Sequence, residues 1–487
     1  MDDADRFGGI IALVAVVALV AVLSNRLTER IRVPAPAIFL VGAAVASDIF
    51  PWLGSMPVAT VEEIVTVALI VLLFDGGMHI GWGALRRTAG AVLWLGVVGT
   101  LVTAAAVAVA AHYLFDLDWR MSLLIGTALA PTDPAVVFSV LGRREILGRS
   151  GTLLEGESGA NDPVGIALMV SILAAGGTGG IGALGAGVLV FVEQMGIGAV
   201  IGVIGGAALH WSVKRVSLPS AALYSVFTLA AAVAIYGAAT VVHGSGFLAV
   251  FIAGIMLGDA RVPFKGDTQR FHSALASLAE IVAFVVLGLT VSLRTLPDGN
   301  AWLIGLVLGV VLALVIRPVL VGLVLLPVKL DRGERLFALW AGLKGAVPIL
   351  LGTFIVAANL PGTTRIYDVI FVVVAFSVIV QGGLVPFVGR RCRVPMRTIE
   401  PEPWVRGMRF RQEPAAMHTH RVAGGSPADG MTVGELAHQE RVWPVLVRRD
   451  GQHVPLTPET TLRSGDEILV DQEQGVGDGT SPFHVPD

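Results

Sequence analysis

Apolar runs long enough to cross a bilayer constrain this chain more than any other feature. A helix needs about 20 such residues to span the hydrocarbon core. Thirteen candidate stretches occur, near 8–24, 35–50, 60–79, 90–112, 121–141, 152–175, 182–210, 219–242, 245–258, 272–293, 300–326, 335–358 and 366–388. At membrane depth every backbone polar group must be paired internally, so such a chain folds as a bundle of membrane helices. Composition agrees: 54% of residues are hydrophobic and 15% charged, against roughly 25% charged in soluble domains. A net charge of −3 excludes a nucleic-acid partner held by bulk charge. The single cysteine, Cys392, excludes a disulfide scaffold and any Cys-based zinc or iron–sulfur centre. The opening MDDADR is acidic, so the first stretch reads as a retained span, because a cleavable signal needs a basic start.

Loop charge gives the orientation. The odd-numbered connections, from Arg26 to Arg335, hold sixteen basic residues, and the other side holds four, Arg6, Arg120, Arg294 and Arg365. The positive-inside rule then places the N-terminus outside and the C-terminus in the cytoplasm, which an odd span count requires. The expected location is the plasma (inner) membrane.

Composition shifts after Gly389. The membrane part is therefore read as 1–389, followed by a basic linker at 390–404 that lies at the headgroups. A small α+β domain follows over 405–472, with a capped helix start from Met431 to His438, a hairpin around Asp450-Gly451 and a final strand in TLRSGDEILV. Such a domain is marginal alone and is expected to dimerise. Residues 473–487 show no periodicity and read as disordered.

Ionisable residues at membrane depth are costly and default to function. Asp133 lies about mid-bilayer in ALAPTDPAVVF, between Pro131 and Pro134. Both rings obstruct the helix, so it should break there and leave free carbonyls of the kind that transporters offer to cations. In EGESGANDPVGIAL, Ser158 and Asp162 share one helix face, and Glu157 and Asn161 the next. A proline kink with a capping Asp, or one polar residue gluing helices, would explain Asp133 or Ser158 alone. The cluster is harder to reduce to packing. Arg317, in LALVIRPVLVG, needs a buried carboxylate. Lys344 sits among glycines and a proline in WAGLKGAVPIL, which suggests a second broken helix in the other half of an inverted repeat. Asp75, in LLFDGGMHI, is a further candidate, whereas Glu193 and Glu280 stand apart and read as packing or cavity residues.

Together FDGG, APTDPAVVFSVL, GESGANDPV, the IRP at Arg317, GLKGAVP and the VQGG of Val380–Gly383 resemble the NhaP-type cation/proton antiporters over about residues 8–388. The resemblance implies an all-α polytopic fold with inverted repeats and two crossing broken helices. It also implies that Asp162 exchanges proton and cation, with Ser158, Thr132 and Asp133 around the ion. Asp75 replaces a residue that is often Glu in relatives, and Lys344 one that is usually Arg. Glu157 and Arg317 are implied to form a structural ion pair. The tail, through GGSPADGMTVGELA and TTLRSGDEILV, is similar to the C-terminal lobe of RCK (TrkA-C) regulatory domains. The resemblance implies a small nucleotide as ligand of this domain; a Gly-rich dinucleotide fingerprint is missing, so the dinucleotide-binding lobe is absent.

These readings give an electroneutral antiporter exchanging K⁺, with Na⁺ or Li⁺ as the alternative cation, for H⁺ by alternating access, working as a homodimer. No cofactor is expected. Against a channel, no repeated carbonyl-filter motif is present. Against an intramembrane enzyme, neither GxSxG nor HExxH occurs.

Overall fold

The computed structural model describes residues 34–141, 144–146, 149–174, 181–260, 262–328, 330–398, 417–439, 442–449, 452–472 and 483. The first span, the turn at Asp450-Gly451 and most of the stretches read as linker and disordered tail lie outside the described residues. By internal contacts the chain divides into two compact units, Met1–Ile399 and Glu400–Asp487.

The first unit is helical. Its elements run α1 (Ala35–Ile49), α2 (Val58–Leu93), α3 (Thr100–Phe115), α4 (Trp119–Ala128), α5 (Ala135–Leu141), β1 (Arg144–Ile146), α6 (Arg149–Ala174) and α7 (Ile181–Arg215). After these come α8 (Ala221–Val241), α9 (Gly246–Gly258), α10 (Lys265–Leu289), α11 (Ala301–Val311), α12 (Arg332–Trp340), α13 (Ala346–Ala357), α14 (Thr363–Phe376), α15 (Gly383–Arg391) and β2 (Met396–Thr398). Among the described residues six helical stretches are long and apolar enough to cross a membrane, and three shorter apolar helices accompany them. Every candidate span after the first coincides with a helix or a broken pair of helices.

Two of those spans are indeed broken. The chain leaves helical geometry between Ala128 and Ala135, and again between Trp340 and Ala346. The prolines at 131 and 134 account for the first break. The second falls in AGLKG, where two glycines lower helix propensity. A third interruption had no proline to announce it: α2 kinks at Gly81, whose φ of +63° only glycine adopts easily. Three π-helical segments, Trp94–Gly99, Leu312–Val321 and Ser377–Gly382, widen otherwise α-helical spans. The second includes Arg317 and Pro318. Close crossing of α2 and α9 relies on Gly77 and Gly254, where a Cβ on either would strike the other helix's backbone, as expected where small residues bring membrane helices together.

A two-stranded ribbon closes the first unit on itself. β1 pairs antiparallel with β2, Arg144 opposite Thr398 and Ile146 opposite Met396. Part of the stretch read as linker is therefore a paired strand. Beside it Cys392 packs so closely on Gly333, at the start of α12, that a Cβ there would strike its carbonyl.

The second unit has a four-stranded antiparallel sheet in the order β3 (Met417–Arg421), β6 (Glu467–Gln472), β4 (Val442–Arg449), β5 (Gln452–Val454), plus the helix α16 (Val433–Gln439). Val447 opposite Val454 sets the β4–β5 register. Thr432 and Glu435 start α16 with a reciprocal capping box. Arg449 grips Asp466 with two bonds of 2.8 and 2.7 Å. Phe483 departs from the disorder expected of 473–487: it is buried in this unit's core and stacks on His420, because a large ring gains from leaving water.

Candidate functional site

The two breaks meet. The amide of Asp133 donates to the carbonyl of Leu343 at 2.8 Å, joining unwound segments whose half-helices point their ends inward. Each end carries a partial charge, positive at an N-terminus and negative at a C-terminus. The sequence supplies each with an opposite charge. Asp133 Oδ1 accepts from the Ala135 amide at 2.9 Å, and the same carboxylate bonds the Ala346 amide, so it caps the starts of both α5 and α13. Lys344 Nζ donates to the carbonyls of Ala130 and Pro131, each at 2.9 Å, closing the end of α4. Arg317 Nε donates to Leu339 O at 2.9 Å, and its Nη2 to Ala338 O at 3.3 Å, closing the end of α12.

One sequence-based expectation changes here. The break was expected to leave carbonyls free for a cation, but two of them are taken by the Lys344 ammonium. A covalently attached cation at that spot satisfies the carbonyls, its dehydration having been met once, on folding.

Thr132 is held by Asn161, whose Oδ1 accepts from the Thr132 amide at 3.3 Å and whose Nδ2 donates to Thr132 Oγ1 at 2.7 Å. Asn161 thus ties α6 to the first break. Glu157 and Arg317, both buried, meet at 3.0 Å. Asp162 is 8% exposed, and its Oδ1 is buried without a hydrogen-bond partner. The Ser158 hydroxyl bonds the same carboxylate.

Asp162 and Asp133 line a cavity of about 260 Å³, whose walls also include Ser158, Asp75, His79 and Glu280. Asp75 lies in this cavity, but its nearest partners are two residues that the sequence reading left out. Ser273 donates to its Oδ1 at 3.1 Å, and His79 Nδ1 approaches its Oδ2 at 3.4 Å. The spacing of Asp75 and His79, one helical turn, was a signal for the second of these. Glu193, by contrast, is exposed on α7 and takes no part. Around the second break, Gln381 Nε2 donates to Trp340 O at 2.7 Å, and the Lys344 amide donates to Ser377 Oγ at 2.9 Å. The Ser377–Gly382 π-segment therefore braces the gap between α12 and α13.

Among the described residues no group of three or more His, Cys, Asp or Glu could hold a metal ion. The arrangement offers a buried carboxylate with an open oxygen, at the end of a cavity, beside two helix breaks whose charges are already balanced. Such a site can hold a proton or a small cation, one at a time.

The sodium/hydrogen exchanger, transmembrane family matches residues 7–391, and the TrkA-C domain family matches residues 417–472. The chain is similar to the K(+)/H(+) antiporter NhaP2 of Shewanella sp. (strain MR-4), 33% identical over 399 residues, which cover 81% of this chain and 69% of that one. The K(+)/H(+) antiporter NhaP of Alkalimonas amylolytica is 34% identical over 386 residues, 78% of this chain and 66% of that one. The sodium proton antiporter MjNhaP1 from Methanocaldococcus jannaschii shares the fold, with a TM-score of 0.65 at 22% identity over 76% of this chain and 98% of that one.

Proposed function

This chain belongs to the sodium/hydrogen exchanger family, and from that premise we propose that it exchanges K⁺ for H⁺ without moving net charge, by competition for the Asp162 carboxylate. It is a monovalent cation/proton antiporter of a membrane and not an enzyme, since no bond is made or broken. The observation that carries the proposal is the Asp162 Oδ1, buried and unpartnered at a cavity wall. A carboxylate cannot stay ionised and empty at membrane depth. It therefore takes a proton or a cation, and the two fluxes are coupled by exclusion. Ser158 is placed to share the ion with Asp162, and Thr132 is placed by Asn161. Asp133 acts from the two helix starts that it caps. Rocking of the broken helices against the rest of the bundle would expose the site to each side in turn.

Potassium is favoured over sodium because the two relatives compared above, at 33% and 34% identity, are named K(+)/H(+) antiporters and because the tail resembles modules that accompany potassium transport. Exchange of Na⁺ or Li⁺ on the same site is the second reading, and the sodium proton antiporter of the same fold favours it. The reading further includes the plasma membrane with the N-terminus outside, a homodimer, and a second unit that regulates exchange through a small nucleotide. Everted vesicles loaded with acid provide the test. Adding K⁺ should raise the internal pH at lower concentration than Na⁺ or Li⁺. No alkalinisation with any of the three would refute antiport by this protein.

A further inference from the structure

Glu280 and Glu155 are the acids in the cavity wall that the antiport reading leaves without a task, and Glu280 is the one with an oxygen that is buried and has no hydrogen-bond partner. It lies on α10 seven residues after Ser273, so the two share a face about 10 Å apart along the helix. Ser273 bonds Asp75, and Glu280 lies within electrostatic range of Asp133. Along α10, therefore, Ser273 marks the Asp75 end of the cavity and Glu280 lies toward Asp133, in a wall that also holds Asp162 and Glu155.

A carboxylate kept in a membrane helix for packing is tied down. Glu157 is, by Arg317 at 3.0 Å, and Asp133 is, by the Ala135 amide at 2.9 Å. Glu280 Oε1, although buried, has no hydrogen-bond partner. An untied acid at that depth costs stability unless a cation or proton visits it.

We infer that Glu280 is a cation-handling residue of this antiporter, an intermediate station that draws the cation from the Asp75 end of the cavity toward Asp162 and sets its apparent affinity. The inference rests on the antiport reading above. When ionised, Glu280 raises local cation concentration in a low-dielectric cleft, and its free oxygen offers a ligand to a partly dehydrated ion. Because Glu280 is a station rather than the exchange site, its loss should act on half-saturation more than on the maximal rate.

The test compares wild type, Glu280→Gln and Glu280→Asp in proteoliposomes, with K⁺ and Na⁺ titrated separately and melting temperatures measured alongside. Gln keeps the volume and removes the charge. It should raise the half-saturating cation concentration on the order of tenfold, with the maximal rate within about threefold and the melting temperature unchanged. Asp keeps the charge one methylene back, so its half-saturation should fall between the other two. An unchanged half-saturation in both variants would overturn the inference while leaving antiport intact, and so would a lowered maximal rate at constant half-saturation. Wild-type protein that moves no protons on addition of either cation would overturn both.

Discussion

The Asp133 amide and the Leu343 carbonyl, 2.8 Å apart, tie the two unwound segments together at their centres. Around that bond Asp133 caps two helix starts, Lys344 and Arg317 close two helix ends, and Glu157 offsets Arg317, so two acids and two bases balance the crossing before any ion arrives. Asp162 stands beside this balance rather than within it. The predictions below follow from that separation.

Asp162→Asn should abolish cation-driven proton movement while leaving expression and melting temperature near wild type, because the amide can neither release a proton nor neutralise a cation. Fluorescence of a pH dye in everted vesicles measures it, and residual exchange in this variant would show that another group carries the proton.

Glu157→Ala should destabilise the protein by about 3–5 kcal/mol, the cost of leaving a buried guanidinium unpaired. Adding Arg317→Ala should recover part of that loss but not all. The carbonyls of Ala338 and Leu339, which Arg317 also serves, then lose their donor. Thermal melts in detergent give the comparison, and strictly additive losses would contradict the coupling.

Gly345→Ala should stop transport as firmly as a change of charge would. A Cβ at Gly345 would collide with the Asp133 side chain, both at its Cβ and at its carboxylate, so either Asp133 or the second break must move. Gly345→Ala protein that exchanges at the wild-type rate would show that the crossing tolerates such displacement.

Removal of the second unit should be read at two cut points. A cut after Ile399 keeps β2 and should leave exchange competent while altering its dependence on pH or ligand. A cut before Met396 removes the partner of β1 and should cost about 1 kcal/mol for each backbone bond lost, seen as a lower melting temperature. Equal stability of the two truncations would mean that the ribbon contributes nothing. A stable but inactive product of the first cut would make the second unit part of the transport machinery.

Exchange should be one proton for one monovalent cation. Asn161, next to Asp162, has both ends of its amide committed to Thr132 and does not titrate. Asp133 is held by two amides. In proteoliposomes with the membrane voltage set by a thiocyanate gradient, the equilibrium pH difference should not follow the voltage. A pH difference that tracks it would require a second titrating group.

Much of this was legible in the sequence, for identifiable reasons. Long apolar runs announce spans, and Pro131 and Pro134 announce a break, because both signals are local. The clustering of Ser158, Asn161 and Asp162 is equally local. What was illegible depends on partners far away in sequence. Nothing near Ala130 says that its carbonyl belongs to Lys344, or near Asp75 that Ser273 bonds it. Glu280 looks isolated along the chain and joins the cavity only through the packing of α10 on α2. The β1–β2 ribbon pairs three residues with three through backbone alone, which leaves no side-chain pattern to read. Gly81 bends α2 within GGMHIGWG, a glycine-rich stretch that lowers helix propensity without saying which glycine takes the kink.

The short half-helices carry a further consequence, for biosynthesis. α4 and α5 have 10 and 7 residues, roughly 15 and 10 Å of rise, and α12 and α13 have 9 and 12. None reaches across a hydrocarbon layer of about 30 Å. Each span must therefore enter the membrane as an unbroken length of chain. The first waits, with Asp133 and the carbonyls of Ala130 and Pro131 unserved, until Leu343 and Lys344 emerge from the ribosome. Through the synthesis of those intervening residues the nascent protein holds an exposed polar gap in the bilayer, and its assembly has to protect that gap until the second half arrives.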